Sequence, residues 1–217
     1  MKRSLLSSGE YIQDGIILHL NAMDGLVDNK WVDRVNGLEV SMSNVLKSGK
    51  GLFFDGSAYG MVDGRIRDLL TSANATLEIY FYRPGKPADF EVLLSDMVTS
   101  VKMGCAFLPR NESVIIRSAQ NDYGKGQTYK YDASLFTRNG LLSMTYSASN
   151  CFFDGKQLAS GSEDNYISHS SGMYIGRRNS FDGSFFRGYI YSIRIYNRIL
   201  TLDEIKHNCK IDKYLYS

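Results

Sequence analysis

The residues of this chain that could do chemistry are few and widely spaced. Cleaving a glycosidic bond takes two carboxyl groups about 5 to 10 Å apart, one ionised and one protonated. On one strand face such a set reads as a Glu-x-Asp-x-Glu run, and the chain has none. Glu78 stands alone in its segment, Glu91 and Asp96 straddle an apolar stretch, and Asp203-Glu204 serves better at the start of a helix. His19, His169 and His207 are scattered, and the three cysteines, Cys105, Cys151 and Cys209, form no Cys-x-x-Cys pair. No zinc pattern emerges. Ser168-His169-Ser170-Ser171-Gly172 lacks the Gly-x-Ser-x-Gly elbow of a serine nucleophile and reads as a polar loop. Asp24, Asp28 and Asn29 could ligate a cation, although an Asp/Asn-rich turn forms without one. The expectation is a chain that is not an enzyme and carries no cofactor or catalytic metal.

Tyrosines offer more. Around Tyr123, Lys125, Gln127, Tyr129 and Tyr131, aromatic surface alternates with hydrogen-bonding groups, and Tyr123-Gly124-Lys125-Gly126-Gln127 reads as a glycine-rich loop. A second candidate ligand surface pairs Tyr80 with Tyr82, and Arg194 with Tyr196, on outward strand faces. The plain alternative in both places is half-buried tyrosines packing across strands. Trp31 could stack on a sugar ring, since aromatic faces bury apolar sugar surface.

The elements that must position these residues are strands. Fifteen Tyr and 11 Phe against 3 Pro suit pleated, half-buried surfaces, and 217 residues are ample for one large sandwich. Gly15 to Asn21 and Leu52 to Gly56 read as strands. Ala75 to Tyr82 alternates, with Leu77, Ile79 and Phe81 on one face and Glu78, Tyr80 and Tyr82 on the other. Leu141 to Ser147 is expected to pair with Cys151 to Leu158, whose Asp154-Gly155 suits a tight hairpin turn. The longest strand candidate, Phe185 to Asn197, should lie centrally in a sheet, with Tyr189, Tyr191, Ile193 and Ile195 on one side and Ile190, Ser192, Arg194 and Tyr196 on the other. Helix is expected as a short turn over Ile66 to Leu70 and as a final helix from Thr201 to Ile211. Thr201 and Glu204 have capping-box spacing, and Leu202, Ile205 and Cys209 share a stripe.

Met173-Tyr174-Ile175-Gly176, followed by the run from Phe186 to Ile205, resembles the closing strands and helix of laminin G-like, concanavalin A-like domains. Gly15 to Asn21, Trp31 to Gly37, Leu52 to Gly56, Thr76 to Phe81 and Phe153 to Lys156 are similar to earlier parts of the same family, so the resemblance spans about residues 15 to 211. It implies an all-β, two-sheet antiparallel jelly-roll sandwich with a short C-terminal helix, and a concave sheet with its loops as the usual ligand surface. The expected division is an N-terminal segment, 1–14, and a sandwich domain, 15–217. The family position makes Trp31 a core residue. Many relatives have an acidic residue where this chain has Tyr191, and a phenol cannot supply the hard carboxylate that a structural calcium wants. Calcium is left in doubt.

The family does not fix a function. The first expectation is a non-catalytic module that binds a glycan or cell-surface polysaccharide, or that acts in adhesion. The alternative is a bacteriophage virion protein, such as a head-fibre, decoration or tail component, that meets other virion proteins or self-associates through Met1 to Tyr11 or a sheet edge. A glycoside hydrolase is the outsider. A net charge of +2, spread in ones and twos, argues against nucleic acid as a partner. Leu5-Leu6 is too short for a signal peptide, and no run is long enough to span a membrane. The cysteines read as reduced thiols in or near the core of a chain made in the cytoplasm, with release as part of a virion as a corollary of the second reading.

Overall fold

The structure, a computed structural model, describes residues 9–62, 75–85, 91–95, 104–108, 113–120, 123–130, 142–147, 150–158, 160–167, 173–178 and 184–217. In chain order the strands are β1 (Ile16–Asn21), β2 (Lys30–Val32), β3 (Glu39–Ser43), β4 (Leu46–Ser48), β5 (Gly51–Asp55), β6 (Tyr59–Val62), β7 (Thr76–Tyr82), β8 (Glu91–Ser95) and β9 (Gly104–Leu108). They continue as β10 (Ser113–Gln120), β11 (Tyr123–Lys130), β12 (Leu142–Ser147), β13 (Asn150–Phe153), β14 (Lys156–Gln157), β15 (Ser160–Ile167), β16 (Met173–Ile175) and β17 (Arg187–Tyr196). One helix, α1 (Leu202–Tyr216), closes the described chain.

These strands form two sheets. Sheet A runs β14-β13-β12-β7-β17-β5-β4, with β1 also on β17, and sheet B runs β15-β11-β10-β9-β8-β16-β6-β3-β2. The strand pairings are antiparallel throughout. Alternation explains how the sheets stack. Leu77, Ile79 and Phe81 of β7 and Ile190, Ile193 and Ile195 of β17 turn to one face of sheet A. Trp31, Val40, Met42, Val62 and Ile175 turn to the facing side of sheet B, and all of them join one buried core. Trp31 is fully buried there, as the family position implies.

The expected pairing of β12 with β13 is present, from Met144 opposite Phe153 to Ser147 opposite Asn150. Asp154 and Gly155 both take positive φ, 52° and 73°, and turn β13 into β14. Cys151 and Cys209 are buried, as expected of core thiols. The final helix forms with the expected capping box at Thr201 and Glu204, but it runs on to Tyr216, well past Ile211. The turn expected over Ile66 to Leu70 lies outside the described residues.

Two expectations change. Tyr123 to Gln127 is no loop: it belongs to β11, paired on one side with β10 and on the other with β15. Neighbours on both sides satisfy the backbone of a glycine-rich segment that has little to bury by itself. The face division of β17 also fails at its start, because the ladder to β7 shifts register between Ile190 and Ser192. A bulge of this kind turns the strand over locally. Ile190 therefore joins Ile193 and Ile195 in the core, and Tyr189 joins the outer face.

Candidate aromatic binding face

The outer face of sheet A has two halves. Over the first lies α1. Arg194, expected to face outward with Tyr196, is 1% exposed, Tyr196 and Asp212 are 0% exposed, and Tyr80 is 1% exposed. These three expected ligand residues, Tyr80, Arg194 and Tyr196, are thus withdrawn from any ligand by the packing of the helix. Arg194 donates from Nε to Glu78 Oε2 at 2.9 Å and from both Nη groups to Asp212 at 2.7 and 2.6 Å. Asn208 Nδ2 donates to Glu78 and to the Tyr196 hydroxyl, and Thr145 donates to Glu78. The N-terminal segment is drawn in as well. Tyr11 donates to Asp212 at 2.8 Å, the Ile12 amide donates to Asn208 Oδ1, and the Arg194 guanidinium lies 4.0 Å above the Tyr11 ring. Tyr11 is therefore engaged within its own fold. Burial raises the Glu78 carboxyl, against the pull of Arg194. Burial also works against the charge of Arg194, but Asp212 and Glu78 more than offset it.

Beyond the end of α1 the same face is open and aromatic. Tyr189 on β17 stands opposite Phe53 on β5 and Tyr82 on β7, and Phe53 stands opposite Leu46 on β4. The ring centroids are 5.0 Å apart for Phe53 and Tyr189 and 6.1 Å apart for Tyr189 and Tyr82. This makes a row across four strands, about 14 Å wide at ordinary strand spacing. Tyr191 stacks beside it, 6.2 Å from Tyr189 with 25° between planes, and leans over Gly51, where a Cβ would meet its ring at 2.8 Å. Tyr216 at the end of α1 abuts Tyr191 at 5.2 Å and borders the open half. Phe53, Tyr82, Tyr189 and Tyr191 are half-buried, and Leu46 is 64% exposed. Burial pushes the Tyr191 phenol up to about 12, so it stays neutral and can donate a hydrogen bond across the physiological range. Arg187 and Asp55, opposite one another one step along the strands and both exposed, give the row a polar end.

Of the expected ligand residues whose side chains the structure describes, Tyr82 alone falls in this open half. Tyr129 is buried in the core at 1% exposure, which removes it from any surface. Tyr123 and Lys125 lie on β11, and Tyr131 is outside the described residues. Sequence reasoning missed Phe53, Tyr189 and Tyr191. The Tyr189-x-Tyr191 pair carried the signal, but the bulge concealed which way it faced.

Asp96 and Ser168 to Gly172, with His169, lie outside the described residues, and among those described several other side chains considered for chemistry are engaged. Glu91 pairs with Arg83 at 2.5 Å, and Glu204 pairs with Arg198 at 2.7 Å while capping α1. Asp24 holds Arg34 through two contacts of 2.6 Å, and Asp28 and Asn29 take the positive-φ corner between Val27 and Lys30. Among the described residues no group of three His, Cys, Asp or Glu side chains could hold a metal ion. His207 meets the Glu10 carbonyl. A cleft of about 400 Å³ lies between Glu10, Gln13, His19 and Arg34. Burial lowers His19 to about 3, leaving the cleft without an ionisable imidazole near neutrality. No helix among the described residues is long and apolar enough to cross a membrane.

A family profile described as the concanavalin A-like lectin/glucanases superfamily matches residues 54–206. The chain belongs to this superfamily. Its fold is shared with sialidase from Trypanosoma rangeli in complex with sialic acid, at 17% identity and a TM-score of 0.65 over 90% of this chain. It is also shared with the binding domain of botulinum neurotoxin serotype D/C, at 10% identity and a TM-score of 0.60 over 92% of this chain. A second structure of that neurotoxin binding domain, in complex with rat synaptotagmin II, gives 10% identity and a TM-score of 0.60 over 92% of this chain. The chain spans 32% of the sialidase and 53% and 52% of the two neurotoxin chains. No curated protein sequence matches it.

Proposed function

We propose that this superfamily member is a non-catalytic glycan-binding module whose binding surface is the open half of sheet A. One observation carries the reading: Phe53, Tyr82, Tyr189 and Tyr191 form a continuous, half-buried row beside Leu46, with Arg187 and Asp55 at its end. Contiguous exposed apolar surface on a soluble domain marks an interaction site. Tyrosine rings supply flat apolar area with a polar tip at little entropic cost, which suits a sugar ring's apolar face and its hydroxyls together. The structural neighbours, a sialidase in complex with sialic acid and a neurotoxin binding domain, lend support at the level of fold. Pairing of Glu78, Glu91 and Glu204 with arginines supports a role without hydrolysis.

Retention on a panel of immobilised polysaccharides and glycans tests this. Binding should weaken at least tenfold in Tyr189→Ala and Phe53→Ala, with melting temperatures close to that of the parent. A panel with no binder at millimolar sensitivity, or binding indifferent to both substitutions, sinks the reading.

A structural role in a virion is the second reading, and β4 favours it. It is a terminal strand of sheet A, all three of its residues are exposed, and its outer edge is open to pairing among the described residues. Sedimentation of the purified chain at micromolar concentration tests it, a strictly monomeric mass being the adverse outcome.

A further inference from the structure

Sheet B carries a separate arrangement that does not depend on the aromatic row. β16 is followed by Gly176, with φ at +78°, whose N–H donates to the Leu93 carbonyl at 2.9 Å and whose carbonyl accepts from the Phe186 amide at 2.8 Å. A Cβ at this position would lie 2.5 Å from Phe54 Cδ1, so glycine alone permits the turn. The turn carries Arg177 onto the outer face of sheet B. Tyr174 opposes the half-exposed Met61 there, whereas the inward neighbours Ile175, Gly60 and Val62 are buried.

The Arg177 guanidinium carbon sits 4.2 Å from the Tyr59 ring centroid, 4.6 Å from that of Tyr174 and 5.9 Å from that of Phe185. The two tyrosine rings are 6.1 Å apart and inclined by 56°. Cation–π contact of this kind holds the guanidinium over the ring faces and leaves its N–H edge unspent. Arg34, Arg83, Arg194 and Arg198 each hold a carboxylate. Arg177 holds none among the described residues, and its Nε is buried without a hydrogen-bond partner. A guanidinium held over ring faces with a donor unmatched suits a planar, two-oxygen anion. Next to Tyr174 in the ladder stands Met61 on β6, and opposite Met61 on β3 stands the exposed Ser41. That mixture of flat apolar surface and hydroxyl suits a polyhydroxylated ring.

We infer that Arg177, Tyr59 and Tyr174 form a binding site for the carboxylate of an acidic sugar, such as a sialic or uronic acid residue, on the sheet opposite the aromatic row. The test is an NMR titration of the full chain with methyl glycosides of N-acetylneuraminic acid and glucuronic acid, each beside its methyl ester. At least one acid should bind at least fivefold more tightly than its ester. That affinity should fall at least fivefold in Arg177→Gln and by a smaller factor in Arg177→Lys, which keeps the charge but not the planar fork. Chemical-shift changes on titration should centre on Tyr59, Tyr174 and Arg177 and spare Phe53 and Tyr189, so that failure of the aromatic row and failure of this site are told apart. Equal binding of acid and ester, or acid binding indifferent to Arg177→Gln in a variant whose melting temperature is unchanged, overturns the inference. So does full competition by acetate at equal concentration, which would mark a general anion site.

Discussion

The two halves of the outer face of sheet A reverse the usual relation between polarity and exposure. Under α1 the strands bury Glu78, Arg194 and Thr145 against Asn208 and Asp212. Past the end of the helix, the same strands leave Phe53, Tyr82, Tyr189 and Tyr191 half-open to solvent. Scattered exposed apolar residues mean little, but buried charge and contiguous open aromatic surface are each informative. The covered half is held by directional contacts that specify where the helix and the N-terminal segment sit. The open half has half-buried rings tiled against each other. One half fixes architecture, and the other is the surface proposed for recognition.

Arg194→Met should break the covered half most severely, because it leaves the Glu78 and Asp212 carboxylates buried without their cation. Losing one member of a buried ion-pair set costs about 3–5 kcal/mol, and urea denaturation of the variant should show a fall of that order. The next effect is acid lability from His19. Its folded value of about 3 lies below the ordinary 6.5, so its contribution is fully present above pH 6.5 and is lost progressively as pH falls toward 3. At pH 5 the loss is up to about 2 kcal/mol, and His19→Phe should flatten that part of the stability curve. Thr201→Ala removes the cap of α1 and should cost about 1 kcal/mol, read as a lower urea midpoint with an unchanged slope. Hydrogen bonding from Arg198 holds Glu204 down at about 2, so its share of stability is present above pH 4.5 and fades as pH drops toward 2. The smallest stability change, within about 1 kcal/mol, is expected for Tyr189→Ala in the open half, although glycan retention should collapse in that variant. A large loss of stability there would erase the contrast between the two halves.

Much of the fold was legible in the residues. The period-two alternation of Thr76 to Tyr82, the Asp154-Gly155 turn and the Thr201/Glu204 capping box each act over a few residues, and each is present where expected. The candidate site was legible only at Tyr82. Glu78 looked solitary because its partners Arg194 and Asn208 lie more than a hundred residues away in the chain. Tyr80, Arg194 and Tyr196 looked outward because alternation says which residues share a face and nothing about what covers it. Tyr123 to Gln127 looked like a loop because the ladders that make it a strand come from β10 and β15.

By itself the sequence determined local conformation: strand phase, turn corners, the helix start and the lack of a clustered carboxylate run. Those properties depend on backbone sterics and on hydrogen bonds between near neighbours. Only the tertiary structure decided that α1 extends to Tyr216 and covers half of sheet A, that a bulge between Ile190 and Ser192 sends Tyr189 outward, and that Gly176 sets Arg177 over Tyr59 and Tyr174. Each of these depends on surfaces meeting across long stretches of chain, where the free energy comes from burial and complementary charge that no local window contains.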